Sequence, residues 1–209
     1  MLTVATVLRS GGDFKPEHVH RLYRQVEEHL TVPYKFVCLT DTKPSALIRR
    51  HDVYIEFLEH DWPGWWAKLE LFRIDGPVLY FDLDMTIVGN IDKLAQAVID
   101  LEENQLMVGK GFLPTCCDVQ SWCLGWSVGM PALWELAQVH SVVPGGDQWW
   151  LKYCYKKAGL ELVYAQDFQP GMYSYKFQLE RGKLKPDDLS VIIFHGKPRP
   201  WDDHVPTSG

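Results

Sequence analysis

The chain is 209 residues long, 46% hydrophobic and 23% charged, with a formal net charge of −6. That length holds one domain with a substantial core, and an acidic balance without a Lys/Arg run excludes a general nucleic-acid binder, whose footprint is basic. No apolar stretch approaches the roughly 18 residues that a membrane span needs.

Residues 2–8 predict a first strand, closed by the turn Ser10-Gly11-Gly12-Asp13. The chain opens directly in this apolar run, with no charged leader, and its five cysteines are odd in number and unevenly spaced. A cytoplasmic protein with reduced thiols is the expectation. Residues 16–30 carry Val19, Leu22, Tyr23, Val26 and Leu30 at helical spacing behind Pro16-Glu17. Residues 34–40 predict a second strand, ended by Asp41-Thr42-Lys43-Pro44, and residues 53–58 a third.

After Pro63-Gly64 a helix is expected over 65–74, then a short buried strand over 78–81 and a helix over 91–99. Residues 105–108 read as a strand. Residues 112–129 are rich in Cys, Trp and Gly without a period and receive no assignment. Helices follow over 131–139 and 147–158, and the apolar run 191–194 delivers His195 to its end. Alternating strands and helices predict an α/β fold with a largely parallel sheet. No repeat or linker divides residues 1–209, so a single domain is expected.

The chemistry concentrates at Asp82 and Asp84, which follow Val78-Leu79-Tyr80-Phe81. In extended backbone, residues two apart share a face. Two convergent carboxylates repel unless a cation neutralises them, and hard oxygen ligands suit Mn²⁺ or Mg²⁺. The plain alternative is an Asp-rich surface turn. Far downstream, His195-Gly196-Lys197 could add an imidazole ligand and a positive charge for a phosphate.

Two families resemble this pattern. The run Phe81 to Val88 resembles the first motif of haloacid-dehalogenase-type phosphatases, with Asp82 as nucleophile. That motif normally lies near the chain start, and Met85 stands where the family prefers Gly. The series Lys68-Leu69-Glu70-Leu71-Phe72, Val78 to Asp84, Gly146-Asp147-Gln148 and His195-Gly196-Lys197-Pro198 resembles nucleotide-sugar glycosyltransferases of the GT-A fold. The likeness is greatest to the retaining, glycogenin-like family.

That second resemblance implies a nucleotide-binding β-α-β half, an irregular acceptor half and a mostly parallel mixed sheet. It implies metal-dependent transfer of a hexose from a nucleotide diphosphate-sugar, with UDP-sugar as the leading donor, to an acceptor the sequence does not name. Asp82, Asp84 and His195 would hold Mn²⁺, with Mg²⁺ the alternative. Lys68, Leu83, Gly196 and Lys197 would contact the donor, and Thr6, Val7 and Leu8 its base and ribose. Asp147 and Gln148 would face the donor sugar as catalytic residues; Asp147 also reads as a helix N-cap. The chain lacks the Asn and Tyr the family often shows after its first strand. Residues 121–127 replace the family's Asn-Ser-Gly or Asn-Ala-Gly acceptor segment, which leaves open a nucleotide-sugar-binding protein without transfer activity.

Cys116, Cys117 and Cys123 read as buried thiols, since vicinal cysteines do not easily share a tetrahedral site. His18 and His20, two apart on a helix, point to different faces. His51, His60, His140 and His204 read as surface residues. Trp65-Trp66 and Trp149-Trp150 flank two of the stations and are candidates for core packing or for stacking on a sugar face. Trp201 is a candidate cover for the diphosphate.

Overall fold

The computed structural model describes residues 1–43, 47, 52–113, 118–139, 145–179 and 187–202. Pro44, Cys116, Cys117, His51, His140 and His204 lie outside them. The order is β1 (Leu2–Leu8), α1 (Pro16–His29), β2 (Tyr34–Thr40), β3 (Val53–Phe57), a 3-10 helix (Gly64–Arg73), β4 (Val78–Phe81), β5 (Thr86–Ile87) and α2 (Asp92–Ile99). Then follow β6 (Gln105–Gly109), β7 (Gln120–Trp126), α3 (Pro131–Val139), α4 (Gly146–Cys154), β8 (Glu161–Tyr164), α5 (Ala165–Phe168), β9 (Met172–Ser174), a π-helix (Tyr175–Leu179) and β10 (Val191–Ile193).

Seven strands form the main sheet in the order β3-β2-β1-β4-β7-β6-β8. The pairings β1–β2, β1–β4, β2–β3 and β6–β8 are parallel, and only β7 runs against its neighbours β4 and β6. The architecture is α/β with a mostly parallel mixed sheet. A second, three-stranded sheet, β5-β10-β9, carries the chain towards His195.

Both faces of the main sheet are covered, as a parallel sheet requires. On β1, Leu2, Val4 and Leu8 join the layer formed with Val19, Leu22 and Val26 of α1 and Leu94 and Val98 of α2. Ala5 joins the opposite layer, built from Leu69 and Phe72 of the 3-10 helix, Leu133 of α3 and Trp150 and Leu151 of α4. Strand β4 alternates the same way: Leu79 and Phe81 face α1 and α2, while Val78 and Tyr80 face the 3-10 helix and α4.

Three expectations need correction. The helix expected over 65–74 is a 3-10 helix over Gly64–Arg73, whose first residue, Gly64, has φ +55°. The helix expected over 147–158 ends at Cys154. The unassigned stretch contains β7, every residue of which is buried between β4 and β6. A strand buried on both faces shows no alternation to read, and β7 opens on the polar Gln120 and Ser121. Among the described residues no helix is long and apolar enough to cross a membrane.

Candidate active site

The strand order reverses between β1 and β4: the chain winds outward through β2 and β3, then returns to β1's other side. In open α/β sheets, ligands bind beyond the carboxyl ends of strands at such a switch point. Here the Thr6 hydroxyl donates to the Phe81 carbonyl at 3.0 Å, tying the two strand ends together. The Asp82 N–H donates to the Trp122 carbonyl at 2.9 Å and brings β7 alongside.

Asp82 follows Tyr80 onto the face covered by the 3-10 helix, and there it meets Lys68. The buried Lys68 Nζ lies 2.9 Å from Asp82 Oδ1 and 3.0 Å from Asp147 Oδ2. It also donates to the Ser121 hydroxyl at 3.1 Å and carbonyl at 3.3 Å. The Ser121 hydroxyl in turn donates to Asp147 Oδ2 at 2.5 Å, and the Tyr80 hydroxyl donates to Asp82. Burial alone would lower the Lys68 pKa, but the charges of Asp147 and Asp82 outweigh it and hold the pKa above the usual lysine value. Burial, reinforced by Asp82, pushes the Tyr80 phenol well up. The lysine is a fixed cation joining two carboxylates from different elements.

Asp147 sits in the first turn of α4, whose N-cap is Gly145, and its carboxylate meets Lys68 and Ser121. Gly145 and Gly146, at φ +99° and +79°, deliver it there. Gln148 follows it, half-buried.

Asp82 and Asp84 do not share a face of one strand. Strand β4 stops at Phe81, and the Met85 N–H closes a turn on the Asp82 carbonyl at 3.2 Å. Arg21 of α1 clamps this turn, donating to the carbonyls of Leu83 at 2.7 Å and Met85 at 2.9 Å. The carboxylates still feel one another: burial, then the Asp82 charge, raises the Asp84 pKa to about 7, against the pull of Arg199 and Lys68.

The cation that touches Asp84 is Arg199, whose guanidinium also lies 3.3 Å from Asp13. Lys197 is exposed in the preceding loop. Trp201, two residues on, stacks on His18 with centroids 3.7 Å apart and pins this segment to α1. His195 packs between Phe112 and Phe177, its carbonyl accepts from Lys176 Nζ at 2.7 Å, and its Nε2 is buried without a hydrogen-bond partner. Burial, then Lys176, lowers its pKa, favouring the neutral imidazole that ligates metals; Asp82 acts in the opposite sense.

The structure therefore gathers Lys68, Asp82 and Asp147, with Asp84 in electrostatic contact. Thr6 and Leu8 are buried in the sheet, the Thr6 hydroxyl already bonded, and Val7 packs on the α4-side layer. The side chain of Leu83 is likewise in the core. Gly196 is exposed at φ +75°. His60 is not a plain surface residue: it stacks on Trp62 at 4.3 Å, with Nδ1 3.6 Å from the fully buried Glu70 carboxylate. Ser121, Arg199 and Arg21 were missed. Ser121 lies in the stretch without a period, and Arg199 reads as one of several basic residues near the end of the chain.

Two repelling carboxylates and a buried imidazole nitrogen without a partner suit a hard divalent cation in their chemistry. Among the described residues, however, no three His, Cys, Asp or Glu side chains stand around one point in this conformation.

No family model matches the chain, and no curated protein does. Solved structures resemble it. The apo form of the glycosyltransferase GlyE from Streptococcus pneumoniae TIGR4 matches over 97% of this chain and 56% of its own, with 16% identity and a TM-score of 0.69. A second GlyE structure matches over 98% and 58%, at 17% identity and a TM-score of 0.67. The galactosyltransferase LgtC, solved with donor and acceptor sugar analogues, matches over 99% and 92%, at 13% identity and a TM-score of 0.60. The chain thus spans little more than half the length of the GlyE structures and most of LgtC. The fold is that of the GT-A glycosyltransferases, and the likeness does not single out the glycogenin-like ones.

Proposed function

We propose that this chain is a glycosyltransferase moving a hexose from a nucleotide diphosphate-sugar, a UDP-sugar foremost, to a hydroxyl acceptor with retention at the anomeric carbon, in the manner of glycogenin-like enzymes. The observation that carries this reading is the buried Lys68 joining Asp82 and Asp147 beyond the switch-point strands of a GT-A sheet. The fixed lysine holds both carboxylates in place before substrate arrives, so little reorganisation is needed at the reacting centre. Asp147 and Gln148, in the first turn of α4, would bind donor-sugar hydroxyls and steady positive charge at the anomeric carbon. Arg199 and the exposed Lys197 offer charge to the diphosphate. Asp82, Asp84 and His195 would hold Mn²⁺, or Mg²⁺ in its place, and the ion would stabilise the charge of the nucleoside diphosphate leaving group.

LgtC, solved with donor and acceptor sugar analogues, supports the same substrate classes here. The phosphatase reading is disfavoured. The Asp82 carboxylate accepts from Tyr80 and is paired with Lys68, which leaves it poorly disposed to attack phosphorus. The reading is tested by calorimetry with UDP, GDP, UDP-glucose and UDP-galactose, each with and without Mn²⁺. Mn²⁺-dependent binding of one nucleotide family, severely weakened in Asp84→Ala and His195→Ala, is expected. Binding of none overturns the reading. Donor binding with neither transfer nor hydrolysis leaves a nucleotide-sugar-binding protein.

A further inference from the structure

Each Trp-Trp pair is split between core and solvent. Trp66 and Trp150 are buried, at 6% and 1% exposure, while Trp65 and Trp149 are 63% and 51% exposed. The two exposed indoles come from different elements, the 3-10 helix and α4, yet each crowds one of two adjacent glycines. A Cβ on Gly146 would lie 2.9 Å from Trp65 Nε1, and one on Gly145 would lie 2.5 Å from Trp149 Cδ1. Both glycines have positive φ, so a side chain at either would be strained as well as crowded. The next residue is Asp147, whose carboxylate is fixed by Lys68.

We infer that Trp65 and Trp149 form an aromatic platform that takes the acceptor, a pyranoside, at the edge of the Lys68–Asp147 site. This rests on the transfer reading above. A pyranoside ring is about the size of an indole and has an apolar C–H face and a hydroxyl rim, and tryptophan offers the matching apolar body and polar N–H. A polar group stands beside one indole: Lys152 lies 5.7 Å over the Trp149 ring and pairs with Asp118 at 2.6 Å. Two side chains offer far less than the roughly 800 Å² per partner of a stable protein interface, which argues against a protein occupant. Trp65 crowds Gly146, the residue before the Asp147 assigned to the donor sugar, and an acceptor hydroxyl must arrive beside that sugar. The altered segment at residues 121–127 fits this placement, since Ser121 is occupied with Lys68 and Asp147 and Trp122 and Trp126 are buried.

The test uses the full chain with UDP and Mn²⁺ present. Methyl β-D-glucopyranoside, methyl β-D-galactopyranoside and lactose are the probes, followed by saturation-transfer NMR, with the UDP Kd measured separately. At least one glycoside should bind the wild type. Its Kd should rise about tenfold in Trp65→Ala and in Trp149→Ala, and binding should vanish in the double variant, while Trp65→Phe keeps most of it. The UDP Kd should stay within about twofold throughout, which also reports an intact fold. UDP binding with no glycoside bound, or glycoside binding unchanged in the double variant, overturns the platform. Glycoside binding that the double variant abolishes, without UDP binding by the wild type, supports the platform and sinks the transfer reading.

Discussion

Replacing Lys68 by methionine keeps the stem and removes the ammonium. The lysine side chain is 8% exposed and that of Asp147 9%, so neither charge has bulk water to fall back on. Removing one partner of a buried ion pair costs about 3–5 kcal/mol, because the remaining charge is left uncompensated. For a chain of this size that is a fall in Tm of roughly 6–20 °C. The sign with pH follows from linkage. Without Lys68, the burial and Asp82 charge that already raise the Asp84 pKa lose one of the cations opposing them, and carboxylates raised above their unfolded values destabilise the fold at high pH. Protonation relieves them, so the deficit measured by urea unfolding should be largest near pH 8 and shrink towards pH 5. Lys68→Met/Asp147→Asn should recover part of the loss, since the amide still accepts from Ser121 and carries no charge. A loss below about 1 kcal/mol, equal at both pH values, would refute the reasoning, for it is what an exposed pair gives.

Two further predictions lie away from the carboxylates. Gly171→Ala would place a Cβ 1.7 Å from the Asp188 carbonyl oxygen at a φ of +80°. The Gly171 carbonyl accepts from Ser190 and Val191 at the start of β10, so a loss of about 3 kcal/mol is expected from crowding and left-handed strain together; unfolding midpoints within about 1 kcal/mol of wild type would contradict the geometry. His18, held below its usual 6.5 by burial and then by Arg21, should titrate below that value by NMR. A depressed folded pKa means that the unfolded chain binds the proton first, so stability is full above about 6.5 and falls as pH drops below it; His18→Gln should lose less on acidification, and a wild type no more acid-sensitive than the variant speaks against it.

What the sequence disclosed depended on the range of the contact involved. Strands β1, β2 and β4 are apolar runs between turn residues, and their bounds are local facts. Strand β7 opens on Gln120 and Ser121, is buried on both faces, and contains Gly125, whose added Cβ would come within 2.6 Å of Val98, so neither alternation nor propensity marks it. The site shows the same division. Asp82 and Asp84 were noticed as an i, i+2 pair, yet the structure presents them through a turn held by Arg21, from 62 and 64 residues upstream of the carbonyls it binds. Ser121 lies 53 residues from Lys68, and Arg199 lies 115 from Asp84. No spacing rule joins them; only the return of β7 beside β4, and of the C-terminal segment across α1, brings them in.

The tryptophan pairs carry this furthest. Adjacent residues on a helix cannot face the same way, so one indole of each pair was bound to lie near solvent once the other entered the core. Which one, and that Trp65 comes to crowd Gly146 beside Trp149 on Gly145, depends on packing the 3-10 helix against α4. The local chemistry fixed that two aromatic faces would be left over, and the fold set them beside Asp147.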